Sequence, residues 1–371
     1  MKIINAKIFG KDFKFYDGTL CTNNGKIAET SDDNEVFDAK GLRIIPGLVD
    51  IHFHGAVGYD FMDGTNEALE HISSYEASVG VTAICPATMT MPLEDIMKSC
   101  STAKAFKPQD NMAEIVGINM EGPFVSHQKV GAQNPAYLKD PSADFFNEAQ
   151  KAAGGLIKLL AIAPETPNGI QTIKDLKGKV LCSIAHTTAN YDTATKAIEA
   201  GATHITHLYN AMPAMVHRDP GPIAAGADAP WCEAEIICDG IHIHPAAVRA
   251  AFKMYGDDRM ILISDSMMAV GLKDGEYSLG GQKVHVSNRK ATLDSGTIAG
   301  SATNLYKCMQ IAYQDMHLPM ETVIKAATYN PARSINVLDK YGTLENGKVA
   351  SLLLVDDDLN LKKVMVRGKW L

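Results

Sequence analysis

The chain has 371 residues, 46% of them apolar, and a net charge of −8. That composition supports a large buried core and excludes a disordered chain, and the lack of any Lys/Arg block argues against nucleic acid or an anionic membrane as partner. No apolar run approaches a membrane span, the opening MKIINAKIFG lacks the apolar stretch of a signal peptide, and seven scattered cysteines without a C-x-x-C pair point to free thiols in a reducing cytoplasm.

Residues 2–9, 25–29 and 35–39 read as short strands, with Asp17-Gly18 and Asn24-Gly25 as hairpin turns. The middle of the chain then alternates. Short apolar runs predict strands at 48–53, 81–85, 114–120, 156–163, 180–185, 203–206, 234–238 and 260–264. Helical spacing predicts helices between them, among others at 66–79, 92–105, 191–200 and 245–254. The stretch 180–212 shows the logic. An apolar strand is followed by Asn190 as a helix cap, a helix over 191–200, Gly201 as its stop, and a second short strand. A strand-helix-strand unit makes its two strands parallel.

Eight such strands with intervening helices is the count of a (β/α)8 TIM barrel, an α/β fold. An open doubly wound sheet is disfavoured, since no G-x-G-x-x-G follows the first strand. A Gly-rich stretch after the eighth strand reads as a β-hairpin insertion turning at Gly280-Gly281, with a helix over 301–314 behind it. The end of the chain returns to strand runs broken at Asn346-Gly347 and Gly368. The expected organisation is a barrel over 47–338, flanked by β-rich segments 1–46 and 339–371. Pattern alone leaves open whether these segments pair.

In a barrel the site forms at the C-terminal ends of the strands. Strand one ends in His52-Phe53-His54, whose period of two puts both imidazoles on one face. Strand three ends in Glu121, strands five and six in His186 and His207, and strand eight in Asp265. His204 lies three residues before His207, so only one of them should face the site, and His207 is the choice. Any one of the twelve histidines taken singly is more often an ordinary surface or core residue. Glu121 alone could be a loop carboxylate, and Asp265 alone a helix cap. Nitrogen and oxygen donors at successive strand ends together form a metal-hydrolase pattern. His242-Ile243-His244 is a second His-x-His and is not assigned to metal.

The pieces PGLVDIHFHG, NMEGPF followed by GAQNP, SIAHTT, THLYNAM, HRDPG, CDGIHIHP, SDSMMAVG, TIAGS and GTLENGKVASLLLVD run in one order over nearly the whole chain. In that order the sequence resembles the amidohydrolase superfamily, and within it the N-acetylglucosamine-6-phosphate deacetylases. The resemblance implies that the two ends join in a small β-sandwich domain. It implies Glu121, His186 and His207 as ligands of a principal divalent metal such as zinc, with iron, manganese or cobalt as other candidates. His52 and His54 match a pair that completes a second metal site in some members, so one ion or two is open. Asp265 resembles the general acid/base. His242, Asn210 and Ala211 would contact substrate, the last two at its phosphate. Arg218 resembles a phosphate-binding arginine supplied by a neighbouring subunit, which implies a homodimer. Gln133 stands where some relatives carry a histidine, and its amide would hydrogen-bond the sugar of the substrate in that histidine's place.

The implied reaction converts N-acetylglucosamine 6-phosphate and water to glucosamine 6-phosphate and acetate, in amino-sugar breakdown or cell-wall recycling. A divalent cation polarises the amide carbonyl and lowers the pKa of water from about 15.7 toward roughly 7. Asp265 would carry the proton to the leaving amine. Arg218 explains how an acidic protein takes a phosphate ester. Rival readings are the galactosamine epimer, a cyclic amide such as a dihydropyrimidine, a non-catalytic metal- or sugar-binding protein, and a phosphosugar isomerase or aldolase. No strand-end lysine supports the last. Met267 and Met268 fit pocket or core equally, and Cys238 reads as inert.

Overall fold

The computed structural model describes residues 1–31 and 34–371. Its centre is a curled sheet of parallel strands. Leu48–Asp50, Val81–Ile84 and Glu114–Ile115 form one ladder. Ile118–Met120, Ile157–Ile162, Leu181–Ile184, Ala202–Ile205, Glu233–Ile237 and Met260–Ile263 form a second, in chain order. All pairings in both are parallel. The expected third strand is thus one run broken at Gly117, where a Cβ would come within 2.6 Å of the Lys158 side chain.

The outer edges of the ladders also meet. The Asp265 N–H donates to His52 O at 2.9 Å and the His54 N–H to Ser266 O at 2.7 Å. Beneath them the buried Asp50 carboxylate accepts from Ser264 Oγ at 2.5 Å and from the His52 N–H at 3.2 Å. First and last parallel strands are therefore tied just below the residues expected to do chemistry.

Helices Asn66–Ser78, Leu93–Ala105, Tyr191–Ala200 and Pro245–Tyr255 lie between strands as the periodicity predicts. Asn190 Oδ1 accepts from the Thr193 N–H at 2.9 Å, satisfying one orphan donor of the first turn. That helix buries Ala194, Ala197 and Ile198, one stripe at helical spacing. On the strands, Val49, Ile51, Ala83, Leu159, Ile237, Ile261 and Ile263 form an inner cluster with Ile335 and Tyr341. Each such aliphatic side chain stabilises the fold by about 1.5–3 kcal/mol.

The chain ends do pair. Leu352–Val355 runs antiparallel to Arg43–Pro46, and both join one eight-stranded sheet with Lys2–Phe9, Phe15–Asn23, Lys26–Ala28, Val36–Asp38, Leu361–Val366 and Lys369–Trp370. The sheet curls until its edges touch: Lys26 bridges Val349, and Phe37 packs 5.0 Å from Trp370. Ile3, Ile44, Leu352, Leu354 and Met365 fill its interior.

One turn is misplaced by the sequence reading. Asp17-Gly18 lies inside the strand Phe15–Asn23, opposite Lys7 and Ala6. The chain reverses at 10–14, where the Gly10 N–H donates to Lys14 O at 2.8 Å. A D-G pair permits a turn but does not compel one, and the register that buries Ile3 and Leu20 prevails. Asn24-Gly25 is a turn as expected, with φ of 49° and 75°. The Gly-rich insertion is a three-stranded antiparallel sheet, Gly275–Leu279, Gln282–Ser287 and Lys290–Leu293, reversing at Gly280-Gly281. The helix behind it is Leu305–Gln314, capped by Asn304, four residues later than expected. No helix among the described residues is long and apolar enough to cross a membrane.

Candidate metal centre and active site

The strand ends converge. Glu121 Oε1 lies 3.1 Å from His186 Nε2 and 3.1 Å from His207 Nε2, and those two nitrogens are 3.1 Å apart. Beside them His54 Nε2 is 3.2 Å from Glu121 Oε2 and 3.3 Å from Asp265 Oδ1. His52 Nε2 stands 3.5 Å from Glu121 Oε1 and 3.7 Å from Asp265 Oδ1. Two donor triads result, Glu121/His186/His207 and His52/His54/Asp265, all buried. The Glu121 carboxylate faces both.

The local backbone is unusual. His186, His207 and Asp265 have φ of 43°, 28° and 48°, a left-handed region that side-chain-bearing residues rarely adopt. Such conformations cost about 1–3 kcal/mol each and persist only where neighbours hold them. Glu165 holds the turn after His186, accepting from Thr187 Oγ1 at 2.5 Å and from the Thr188 N–H at 2.6 Å. The Ser301 N–H grips Asp265 O at 2.7 Å. Positive φ also revises the facing rule applied to His204. Strict alternation ends with the strand at Ile205, so His204 and His207 both turn inward.

Proton placement shows what the centre can hold. His186 Nδ1 lies 2.9 Å from Lys129 O, and a carbonyl only accepts, so Nδ1 carries the proton. His52 Nδ1 likewise donates to Glu235 Oε2 at 2.8 Å. In the neutral rings both Nε2 atoms then present lone pairs to carboxylate oxygens. His52 Nε2 is buried without a hydrogen-bond partner. Lone pairs at 3.1 Å repel unless a cation sits between them. Protons can fill that role. Burial works against a charged His54, yet hydrogen bonds to Asp265 and Glu121 hold its pKa at about 10. Burial would also raise Glu121, but charge on His52 and hydrogen bonds from His186 and His207 keep it well below the carboxylate range. A set of imidazole nitrogens and carboxylate oxygens that demands positive charge suits a divalent metal.

The triads open into a cavity of about 370 Å³ lined by His54, Glu121, His186, His207, His242 and Asp265, with Lys129, Gln133, Asn210 and Ala211 around them. The insertion roofs it: Leu279 lines the cavity, and Gln282 Nε2 donates to Ala132 O at 2.6 Å. His242 Nδ1 pairs with Asp239 Oδ2 at 2.8 Å. Burial lowers its pKa, but that bond and the Asp239 charge raise it above the usual value. His244, the other half of that motif, caps the helix Pro245–Tyr255.

Two expected substrate residues are already engaged. Gln133 Nε2 donates to Glu121 Oε2 at 2.8 Å and Oε1 accepts from the Thr90 N–H at 2.7 Å, so it fixes the Glu121 carboxylate. Asn210 Nδ2 donates to Leu208 O and His207 O at 3.2 and 3.3 Å. The Ala211 N–H has no internal partner among the described residues. Arg218 is exposed and does not line the cavity. Met267 packs in an apolar cluster with Met89 and Leu279, and all seven cysteines are free and buried.

Three residues escaped the sequence reading. Lys129 contributes its carbonyl to His186 and lines the cavity, and Glu165 braces the turn that follows this histidine. Glu235 binds His52, His204 and the His207 N–H. Only Glu235 left a signal, a carboxylate between apolar residues of a strand.

Residues 43–371 match the amidohydrolase family model. A Bacillus subtilis (strain 168) protein named N-acetylglucosamine-6-phosphate deacetylase is 35% identical over 364 residues, 95% of this chain and 92% of its own. One of the same name from Vibrio furnissii is 34% identical over 98% of this chain and 92% of its own. A solved mutant of the Mycobacterium smegmatis N-acetyl-D-glucosamine-6-phosphate deacetylase, in complex with N-acetyl-D-glucosamine-6-phosphate, superposes with a TM-score of 0.92 at 29% identity, covering 100% of this chain and 98% of that one. The chain belongs to the amidohydrolase family.

Proposed function

We propose that the protein hydrolyses the acetamide of N-acetylglucosamine 6-phosphate, releasing acetate and glucosamine 6-phosphate, in amino-sugar breakdown or cell-wall recycling. The observation that carries this is the meeting of Glu121 Oε1, His186 Nε2 and His207 Nε2 at 3.1 Å beside Asp265, in a relative of named deacetylases.

Glu121, His186 and His207 would hold the principal metal, and His52, His54 and Asp265 a second. Zinc suits the donors best. When bound, it supplies Lewis acidity toward the carbonyl and acidifies water. Asp265 accepts the proton of the attacking water as the C–O bond forms. It returns that proton to the amide nitrogen as the C–N bond breaks, so the amine leaves neutral. Its low pKa, set against burial by the hydrogen bond from His54, keeps it ready as a base. His242, held by Asp239, contributes an N–H toward the carbonyl oxygen as negative charge develops there. Gln133 keeps Glu121 in place. Ala211 offers its free N–H to the phosphate, with Asn210 beside it.

Arg218 would reach the phosphate of a neighbouring subunit in a homodimer. Its exposure supports that, as do the adjacent exposed Met215 and Val216. We also propose that the two parallel ladders close as a (β/α)8 barrel over 47–338. The bond between Asp265 N and His52 O supports closure. The curled terminal sheet would be a separate β-sandwich domain of 1–46 and 339–371. Free, buried thiols support a cytoplasmic location.

The test is acetate release from both hexosamine 6-phosphates and the unphosphorylated sugars, before and after chelation and metal add-back. Phosphate- and metal-dependent release is expected. Equal use of the unphosphorylated sugar would remove the phosphate site, and activity indifferent to chelation would remove the metal.

A further inference from the structure

We infer that Glu235 is a positioning residue that sets which nitrogen of His52 carries the proton, and through it the cation site of His52, His54 and Asp265. This rests on the reading of His52 as a ligand given above.

Glu235 lies in the strand Glu233–Ile237 and is wholly buried. A buried carboxylate costs several kcal/mol unless its lone pairs are filled. Here three N–H groups fill them. Oε2 accepts from His52 Nδ1 at 2.8 Å and from the His207 backbone N–H at 3.2 Å. Oε1 accepts from His204 Nε2 at 3.1 Å. No lysine or arginine takes part. A carboxylate only accepts, so each ring must turn an N–H toward it. For His52 that leaves the Nε2 lone pair facing Glu121 and Asp265. The same carboxylate ties this ring to the backbone of His207, a member of the other triad. His204 does not line the cavity and has no other side-chain hydrogen bond within 3.5 Å. Its evident task is to occupy the second oxygen of Glu235.

The geometry separates acceptor position from charge. A glutamine at 235 has one accepting oxygen. The His207 backbone N–H cannot reverse, so that oxygen must stay at the Oε2 position, where it also serves His52. The amide NH2 then faces His204, whose ring can move its proton to Nδ1. E235Q therefore keeps His52 in its ligand form, and E235L does not.

Metal-free full-length protein would be titrated with zinc against a chromophoric chelator, and bound zinc counted. Wild type and E235Q should take up two zinc ions per chain with similar affinities. E235L should hold the weaker ion about 10–100-fold less tightly. Should E235L not fold, the ring N–H proton of His52 in the zinc-loaded E235Q protein, assigned by its loss in H52N, decides; it should remain. Wild-type affinity in E235L overturns the inference. So does an E235Q as weak as E235L, since charge rather than acceptor position would then be at work. A single zinc in the wild type overturns it too, while acetate release in the same sample leaves the hydrolase reading standing.

Discussion

The terminal sheet and the candidate metal centre are both buried, yet their interiors share almost no chemistry. The sheet interior is mainly apolar, with Ile3, Ile44, Leu352 and Leu354 packed from strands in ordinary extended backbone. The centre packs four imidazoles and three carboxylates, three of them on left-handed backbone. Burial in the sheet is favourable in itself, at about 25 cal/mol per Å² of apolar surface. Burial at the centre is unfavourable until charge is balanced and hydrogen bonds are filled. Damage to the sheet should therefore show in stability, and damage to the centre in metal content and turnover.

Four experiments would break or sharpen that contrast. The largest effect is expected from Glu121→Gln. One amide nitrogen in place of a ligand oxygen should abolish metal retention and cut acetate release by at least about 10³-fold, with circular dichroism unchanged. Asp265→Asn comes next. Turnover should fall about 10²–10⁴-fold while the principal metal stays, read by metal content beside acetate release. Near-normal turnover would take Asp265 out of the chemistry.

Leu352→Ala is the counter-test in the sheet. It should cost about 2–5 kcal/mol in denaturant unfolding, with turnover per folded molecule unchanged. A loss of turnover instead would mean that the sheet and the centre are one mechanical unit. Arg218→Ala should raise KM about tenfold to a hundredfold and leave the maximal rate nearly intact, as a lost phosphate contact does.

The same contrast predicts a pH effect. In chelated protein the folded-state pKa of His54 is about 10, raised above its unfolded value near 6.5. Its contribution to stability is complete below about 6.5 and is lost as pH rises toward about 10. A bound metal replaces that proton and removes this dependence. The gap in Tm between loaded and chelated protein should widen from pH 7 to pH 9. A constant gap would show that His54 carries no proton in the metal-free fold.

Much of this was legible. The eight expected strands appear within one to three residues of their expected limits because short apolar runs and helical stripes are local signals. Glu121, His186, His207, His52, His54 and Asp265 could be singled out because parallel strands must deliver their ends to one side. Other features were not legible. The turn at 10–14 depended on register with a strand already placed, not on its own residues. Gln133 and Asn210 offered amides that the sequence assigns to substrate, but their partners lie in Glu121, Thr90 and nearby carbonyls. Glu235 meets His52 across 183 residues of chain.

By itself the amino-acid order determined the alternation of strands and helices, the small β-rich ends and the identity of the donors at the strand tips. Those follow from neighbours a few residues apart. Tertiary structure alone decided which nitrogen of His52 and of His186 is free, which carboxylate braces a ring from behind and which faces the two triads, and that donors of one triad stand 3.1 Å apart. The reason is that proton placement and ligand spacing are set by atoms from distant strands, and these meet only once the edges of the sheet are tied.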